Sequence, residues 1–117
     1  MFVENLLVEQ FEDMITTNDI VFIDFWADPC APCKTFSPTY EKVASEYKDI
    51  MFAKHKIEED KSLSDAFHIQ SVPHLMVFKQ GIAIYSESGS VPESILKELV
   101  QQAIEVDVTA IKTQLDG

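Results

Sequence analysis

Cys30 and Cys33 are the only cysteines among 117 residues, three positions apart in the run Trp26-Ala27-Asp28-Pro29-Cys30-Ala31-Pro32-Cys33-Lys34. Two thiols at that spacing suit half of a metal site, a structural disulfide, a redox pair, or two inert side chains. Zinc usually takes four protein ligands from two such pairs. Here no second pair exists, and His55, His68 and His74 are scattered. A structural disulfide gains little from so short a loop and is uncommon in a reducing compartment. A redox dithiol is the favoured reading.

The surroundings of the pair support it. The dithiol follows a buried-strand signal and opens a helix signal. A thiol at a helix N-terminus meets unpaired backbone N–H groups and the positive end of the dipole, which stabilise its thiolate. Cys30, at the exposed end of the loop, is the expected nucleophile, and Cys33, one turn into the helix, the shielded partner. Pro32 stiffens the loop and is tolerated in a first helical turn. Cys30 then attacks a substrate disulfide, and Cys33 resolves the mixed disulfide. Resolution needs a base, and Asp24 is the candidate. It is the only charged residue between Ile20 and Ala27, and desolvation there raises a carboxyl toward neutrality. The alternative is a solvent-facing aspartate on a strand edge. Lys54, in the next strand signal, either moderates Asp24 or is simply solvated. Pro73, in Ser71-Val72-Pro73-His74, marks the start of a strand, because proline cannot sit inside a ladder.

The elements that must position these residues alternate. Leu7, Phe11, Met14 and Ile15 predict an amphipathic helix over 6–17. Ile20 to Trp26 is a dense apolar run, a strand covered on both faces. Phe36, Tyr40, Val43, Ala44 and Tyr47 share a helix face, kinked or restarted at Pro38. Ile50 to Ile57 is a strand, and Leu63, Ala66 and Phe67 mark a short helix. Leu75 to Lys79 and Ile82 to Ser86 flank Gln80-Gly81 as a hairpin. Pro92 opens a last helix with the stripe Ile95, Leu96, Leu99, Val100, Ala103 and Ile104. Met1 to Val3 is a further short strand. Alternation followed by a hairpin makes the fold α/β, with a mixed sheet and helices on both faces.

Composition bounds the function. Nine lysines, no arginine and twenty acidic residues give a net charge of 9 − 20 = −11, which argues against nucleic acid and anionic membrane as partners. The longest early apolar run is far short of a ~20-residue membrane span. Residues 1 to 33 carry no positive charge, so a basic leader is not expected and the cytoplasm is the default compartment. Ile104, Val108, Ile111 and Leu115 continue at helical spacing. They are read first as a second short helix folded back on the body, then as an apolar strip meeting a partner or a second copy, and last as a frayed end.

Val21-Phe22-Ile23-Asp24-Phe25-Trp26-Ala27, Cys30-Ala31-Pro32-Cys33-Lys34, Val72-Pro73, Phe78-Lys79-Gln80-Gly81 and Gly89 together resemble the thioredoxin family, in order and spacing, over about residues 2 to 104. The resemblance implies a thioredoxin domain at 1–104, a central mixed sheet flanked by helices, and a C-terminal extension at 105–117 read as helical. It implies a protein-disulfide reductase with Cys30 attacking, Cys33 resolving, and Asp24 and Lys54 as a buried acid–base pair. It makes Pro73 a cis-proline against the dithiol, with the Val72 backbone pairing to an extended substrate strand. Trp26 would pack beneath the loop. Trp26, Pro32, Val72, Pro73 and His74 form the implied substrate-facing set. No cofactor is expected on the chain itself. Electrons would come from a thioredoxin reductase fed by NADPH and pass to disulfide-containing proteins. A monomer is expected, with a dimer through the C-terminal strip as the other reading.

Several positions depart from the family pattern. Pro29 replaces a tryptophan before the first cysteine, Ala31 a glycine, and His74 a threonine. His68 and Ser71 stand in place of two glycines. His74 is either a titrating charge near the dithiol or an inert surface imidazole. These departures keep open an oxidant or isomerase, and a non-catalytic binding module on the same fold.

Overall fold

The computed structural model describes residues 2–109. In chain order the elements are β1 (Val3–Asn5), a 3-10 turn (Val8–Gln10), α1 (Phe11–Thr17), β2 (Ile20–Trp26), α2 (Ala31–Glu46), β3 (Met51–Lys56), α3 (Ser62–Ala66), β4 (His74–Lys79), β5 (Ile82–Ser88) and α4 (Glu93–Glu105). The five strands form one sheet in the order β1-β3-β2-β4-β5. β3 is parallel to both β1 and β2, whereas β4 is antiparallel to β2 and β5. The sheet is therefore mixed.

β2 explains its own sequence. Successive side chains of a strand point to opposite faces. Ile20 and Phe22 join Phe36, Tyr40, Val43, Phe52, Val77, Leu96 and Val100 in the core under α2 and α4. Val21, Ile23 and Phe25 join Met14, Ala53, Leu63, Met76 and Phe78 in the core under α1 and α3. Both faces are covered, so the strand is an unbroken apolar run rather than an alternating one. Asp24 shares the face of Phe22, which aims its carboxyl at α2.

The first strand, expected at Met1 to Val3, is Val3–Asn5, and three further details differ from the expected elements. The helix expected from residue 6 begins with the 3-10 turn at Val8. The Leu6 N–H instead continues the β1 ladder to the Lys54 carbonyl (2.8 Å), so Leu6 is buried and Leu7 is exposed. α2 is not restarted at Pro38 but runs unbroken through it. Pro38 lies on the exposed side, where the Lys34 carbonyl that loses its donor can meet water. In α4 the buried stripe is Leu96, Val100 and Ala103, whereas Ile95 and Ile104 are exposed. The β4–β5 turn places Gln80 and Gly81 at φ 52° and 80°, the left-handed pair that a two-residue hairpin needs.

The end of α4 is held by a buried lysine. Lys79 Nζ donates to the carbonyls of Ala103 (2.8 Å), Ile104 (2.9 Å) and Val106 (2.7 Å). A cation there satisfies orphan carbonyls and the negative end of the helix dipole. Residues 106 and 107 leave the helix, and Val108 is buried. The extension expected over 105–117 lies mostly outside the described residues, as do Ile111 and Leu115.

Candidate active site

α2 begins where the dithiol loop ends. Cys30 is its N-cap, with extended backbone, and Pro32 lies in the first turn, among the N–H positions that have no helical partner anyway. The Cys33 N–H donates to Cys30 Sγ (3.0 Å). Cys30 and Cys33 are joined as a disulfide with their Cα atoms 5.3 Å apart. Cys30 is half-buried and Cys33 fully buried, the asymmetry expected of an attacking and a shielded thiol.

Across the sheet end lies the loop that opens β4. The Val72–Pro73 bond is cis, and the Val72 carbonyl oxygen is 3.4 Å from Cys30 Sγ. Pro73 is buried, its carbonyl accepting from the Gly89 N–H (2.7 Å). Gly89 has φ 113°, a backbone region that disfavours any residue with a Cβ.

Beneath the dithiol a cavity of about 240 Å³ is lined by Asp24, Trp26, Cys33, Lys34, Ser37 and Lys54. Asp24 is paired in register with Lys54 on β3. Burial pushes the Asp24 carboxyl up to about 7, against the opposing pull of Lys54. Its Oδ1 has no hydrogen-bond partner among the described residues. A carboxyl in that position exchanges a proton near neutral pH instead of remaining a fixed charge. Lys54 lies with its Nζ 5.6 Å from the Trp26 ring centre, so its influence on Asp24 Oδ1 is through space and not through a hydrogen bond.

Trp26 is half-buried under the loop. Lys56 Nζ approaches its ring as well, at 5.5 Å, and forms an ion pair with Asp28 (2.6 Å). The Asp28 N–H donates to Glu58 Oε1 (2.6 Å). Lys56, Asp28 and Glu58 thus fix the segment just before Cys30. Sequence reasoning missed all three, because only the β2–β3 register, Trp26 opposite Lys56, brings them together.

His74 is placed differently from either expectation. It is neither a surface imidazole nor a charge beside the dithiol. Its ring packs edge-on to Phe25, on the α1 and α3 face of the sheet, with 8% exposure. Its two nitrogens lie 2.7 Å from Ser88 Oγ and 2.8 Å from Ser86 Oγ. Burial pushes the imidazole below its usual value. Of the implied site, the structure gathers Cys30, Cys33, Asp24, Trp26, Lys54, Pro32, Val72 and Pro73 at one end of the sheet, while the His74 ring faces away. His55, the other buried imidazole, sits 2.9 Å from the Leu6 carbonyl. Among the described residues no group of His, Cys, Asp and Glu is placed to hold a metal.

The comparisons agree with this geometry. The thioredoxin family profile matches residues 2–102. A Streptomyces coelicolor protein carried under the name thioredoxin 2 is 38% identical over 107 residues, covering 92% of this chain and 80% of that one. The thioredoxin of Mycoplasma pneumoniae is 33% identical over 102 residues, covering 87% of this chain and all of its own. Among solved structures, a mutant thioredoxin from Halobacterium salinarum superposes with a TM-score of 0.82 at 30% identity, covering 90% of this chain and 93% of that one. A dithiol capping a helix, over a buried carboxyl and against a cis-proline, therefore stands in a chain that belongs to the thioredoxin family and is a protein thiol–disulfide oxidoreductase.

Proposed function

We propose that the chain reduces protein disulfides by two sequential exchanges, with Cys30 attacking and Cys33 resolving. The observation that carries the assignment is the 3.0 Å contact from the Cys33 N–H to Cys30 Sγ at the start of α2. Once the disulfide is opened, that N–H and the helix dipole stabilise a Cys30 thiolate. Cys30 thiolate attacks one sulfur of the substrate disulfide, forms a mixed disulfide, and expels the other sulfur as a thiolate that takes up a proton. Cys33 gives its proton to the Asp24 carboxylate, attacks Cys30 Sγ, and releases the second substrate thiol. One disulfide is reduced and one is formed. Asp24 serves because burial holds its carboxyl near 7, and Lys54 keeps it from rising further.

Trp26, Pro32, Val72 and Pro73 face the substrate. The Val72 backbone accepts an extended peptide as a short added strand. The oxidised chain returns to the dithiol through a thioredoxin reductase that draws on NADPH. The protein acts in the cytoplasm as a monomer. No helix among the described residues is long and apolar enough to cross a membrane.

Trapping tests the order of attack. Cys33→Ser accumulates a covalent adduct with a protein disulfide substrate, and Cys30→Ser forms none and does not turn over. Multiple turnovers by Cys33→Ser overturn the two-step assignment.

A further inference from the structure

His74 is buried yet faces away from the dithiol, so its contribution has to pass through something else. The hydrogen bonds around it suggest what that is. Ser88 Oγ lies 3.3 Å from the Ser71 carbonyl and 2.7 Å from His74 Nδ1. A hydroxyl has one proton to give. A carbonyl can only accept, so the Ser88 proton goes to Ser71. Ser88 Oγ must then accept from Nδ1–H of His74. That leaves Nε2 unprotonated, as the acceptor of the Ser86 hydroxyl 2.8 Å away. A single direction of donation satisfies all four groups: Ser86 to His74, His74 to Ser88, and Ser88 to the Ser71 carbonyl.

Ser71 directly precedes Val72, whose carbonyl oxygen stands 3.4 Å from Cys30 Sγ. On the other side of Val72, the Pro73 carbonyl is held by the Gly89 N–H, next to Ser88 (2.7 Å). The loop facing the nucleophile is thus tied at both ends to the end of β5, at its last residue Ser88 and at Gly89 just beyond it. One tie is a backbone bond. The other is the Ser88 hydroxyl, oriented by His74.

We propose that His74 and Ser88 are positioning residues for the exchange reaction, an imidazole–hydroxyl strut that sets where the Val72 backbone meets an extended substrate peptide. This rests on the reading that Val72 pairs with substrate. Neither residue touches the reacting sulfurs. Ser88 carries the strut to the loop, and Ser86 only completes the bonding of the imidazole. The strut acts on substrates that lie along the loop and has little effect on a small disulfide that meets Cys30 alone.

The test uses the full chain and three probes: a disulfide-bridged peptide, the same peptide N-methylated at the amide next to its cysteine, and the small aromatic disulfide DTNB. Ser88→Ala is expected to lower kcat/KM for the parent peptide about tenfold, the effect of one lost hydrogen bond, mostly through KM. Its rate with DTNB changes less than about twofold. Ser88→Thr, which keeps the hydroxyl, restores the peptide rate. His74→Leu loses the same amount, and the double variant loses no more, because both act through one link. Ser86→Ala leaves the peptide rate within about twofold. Equal losses on peptide and DTNB, or additive losses in the double variant, overturn the strut. The N-methylated peptide tests the underlying reading separately. If wild-type protein reduces it as fast as the parent, Val72 does not pair with substrate and the strut falls with that reading. If N-methylation slows wild type while Ser88→Ala does not slow the parent, pairing stands and the strut alone is wrong.

Discussion

Asp24 destabilises the fold it serves. Its carboxyl rises from 3.8 to about 7 on folding, chiefly by desolvation. The folded chain therefore binds more protons than the unfolded one between those values, and stability falls as pH rises through that window. Above pH 7 the cost approaches an upper bound of about 4 kcal/mol, from the rise between 3.8 and about 7 at about 1.36 kcal/mol for each tenfold change in proton affinity. Asp24→Asn removes the ionisation. It should be about 2–4 kcal/mol more stable than wild type at pH 8 and close to wild type at pH 4. Urea denaturation at the two pH values measures the difference, and an equal gain at both would mean burial of the charge is not the cause. The same variant lacks the proposed base for Cys33, so single-turnover resolution at pH 8 should slow about a hundredfold. Cys30 and Cys33 were legible in the sequence as its only two cysteines, three positions apart, and Asp24 as the lone charge in an apolar run. His74 was not legible. Its proposed role depends on Ser88, fourteen residues away and opposite it only once β4 and β5 pair.

At the scale of elements, propensity and periodicity gave β2 to β5 and the hairpin, but the ends of helices were set by contacts between distant parts of the chain. The start of α1 moved because Leu6 still pairs with β3. The end of α4 depends on Lys79, which reads in the sequence as an ordinary hairpin lysine. The residue is instead only 8% exposed, with its ammonium bonded to three carbonyls. Lys79→Met keeps the apolar stem and removes the donors. Leaving those carbonyls without the cation should cost about 2–4 kcal/mol, read as a lower urea midpoint at unchanged slope. A loss under about 0.5 kcal/mol would mean water replaces the ammonium without penalty. The loop before β4 makes the opposite case. His68 has φ 55°, where a side chain strains the backbone by about 1–2 kcal/mol. Glycine removes that strain but adds about 0.4–1 kcal/mol of unfolded-state freedom. His68→Gly should therefore stabilise the chain by up to about 1 kcal/mol, and His68→Ala should not. A destabilised glycine variant would show that the imidazole contributes more than the backbone loses.

For the whole molecule, the question is where the cooperative unit ends. The sequence resemblance stops at about residue 104, but the physical contacts continue past it. The Val106 carbonyl is one of the three acceptors around Lys79, the Val106 N–H closes the last turn of α4 on the Gln102 carbonyl (2.9 Å), and Val108 is 1% exposed. We propose that the folding unit extends beyond residue 104. The periodicity of Ile104 and Val108 held the hint, but a stripe that turns inward and one that meets a partner have the same spacing. Two shortened chains separate the possibilities. Ending the chain at 109 keeps Val108 and all three carbonyls. Ending it at 104 uncovers the site that Val108 fills, at about 1.5–3 kcal/mol, and removes one charge-assisted acceptor, at about 1.5–3 kcal/mol. The shorter chain should melt roughly 10–20 °C below the longer one, with both held oxidised so that the dithiol state does not enter the comparison. Peptide-disulfide reduction at low temperature should be the same in the two, because none of the lost groups lines the cavity under Cys33. Equal melting temperatures would put the boundary back at 104.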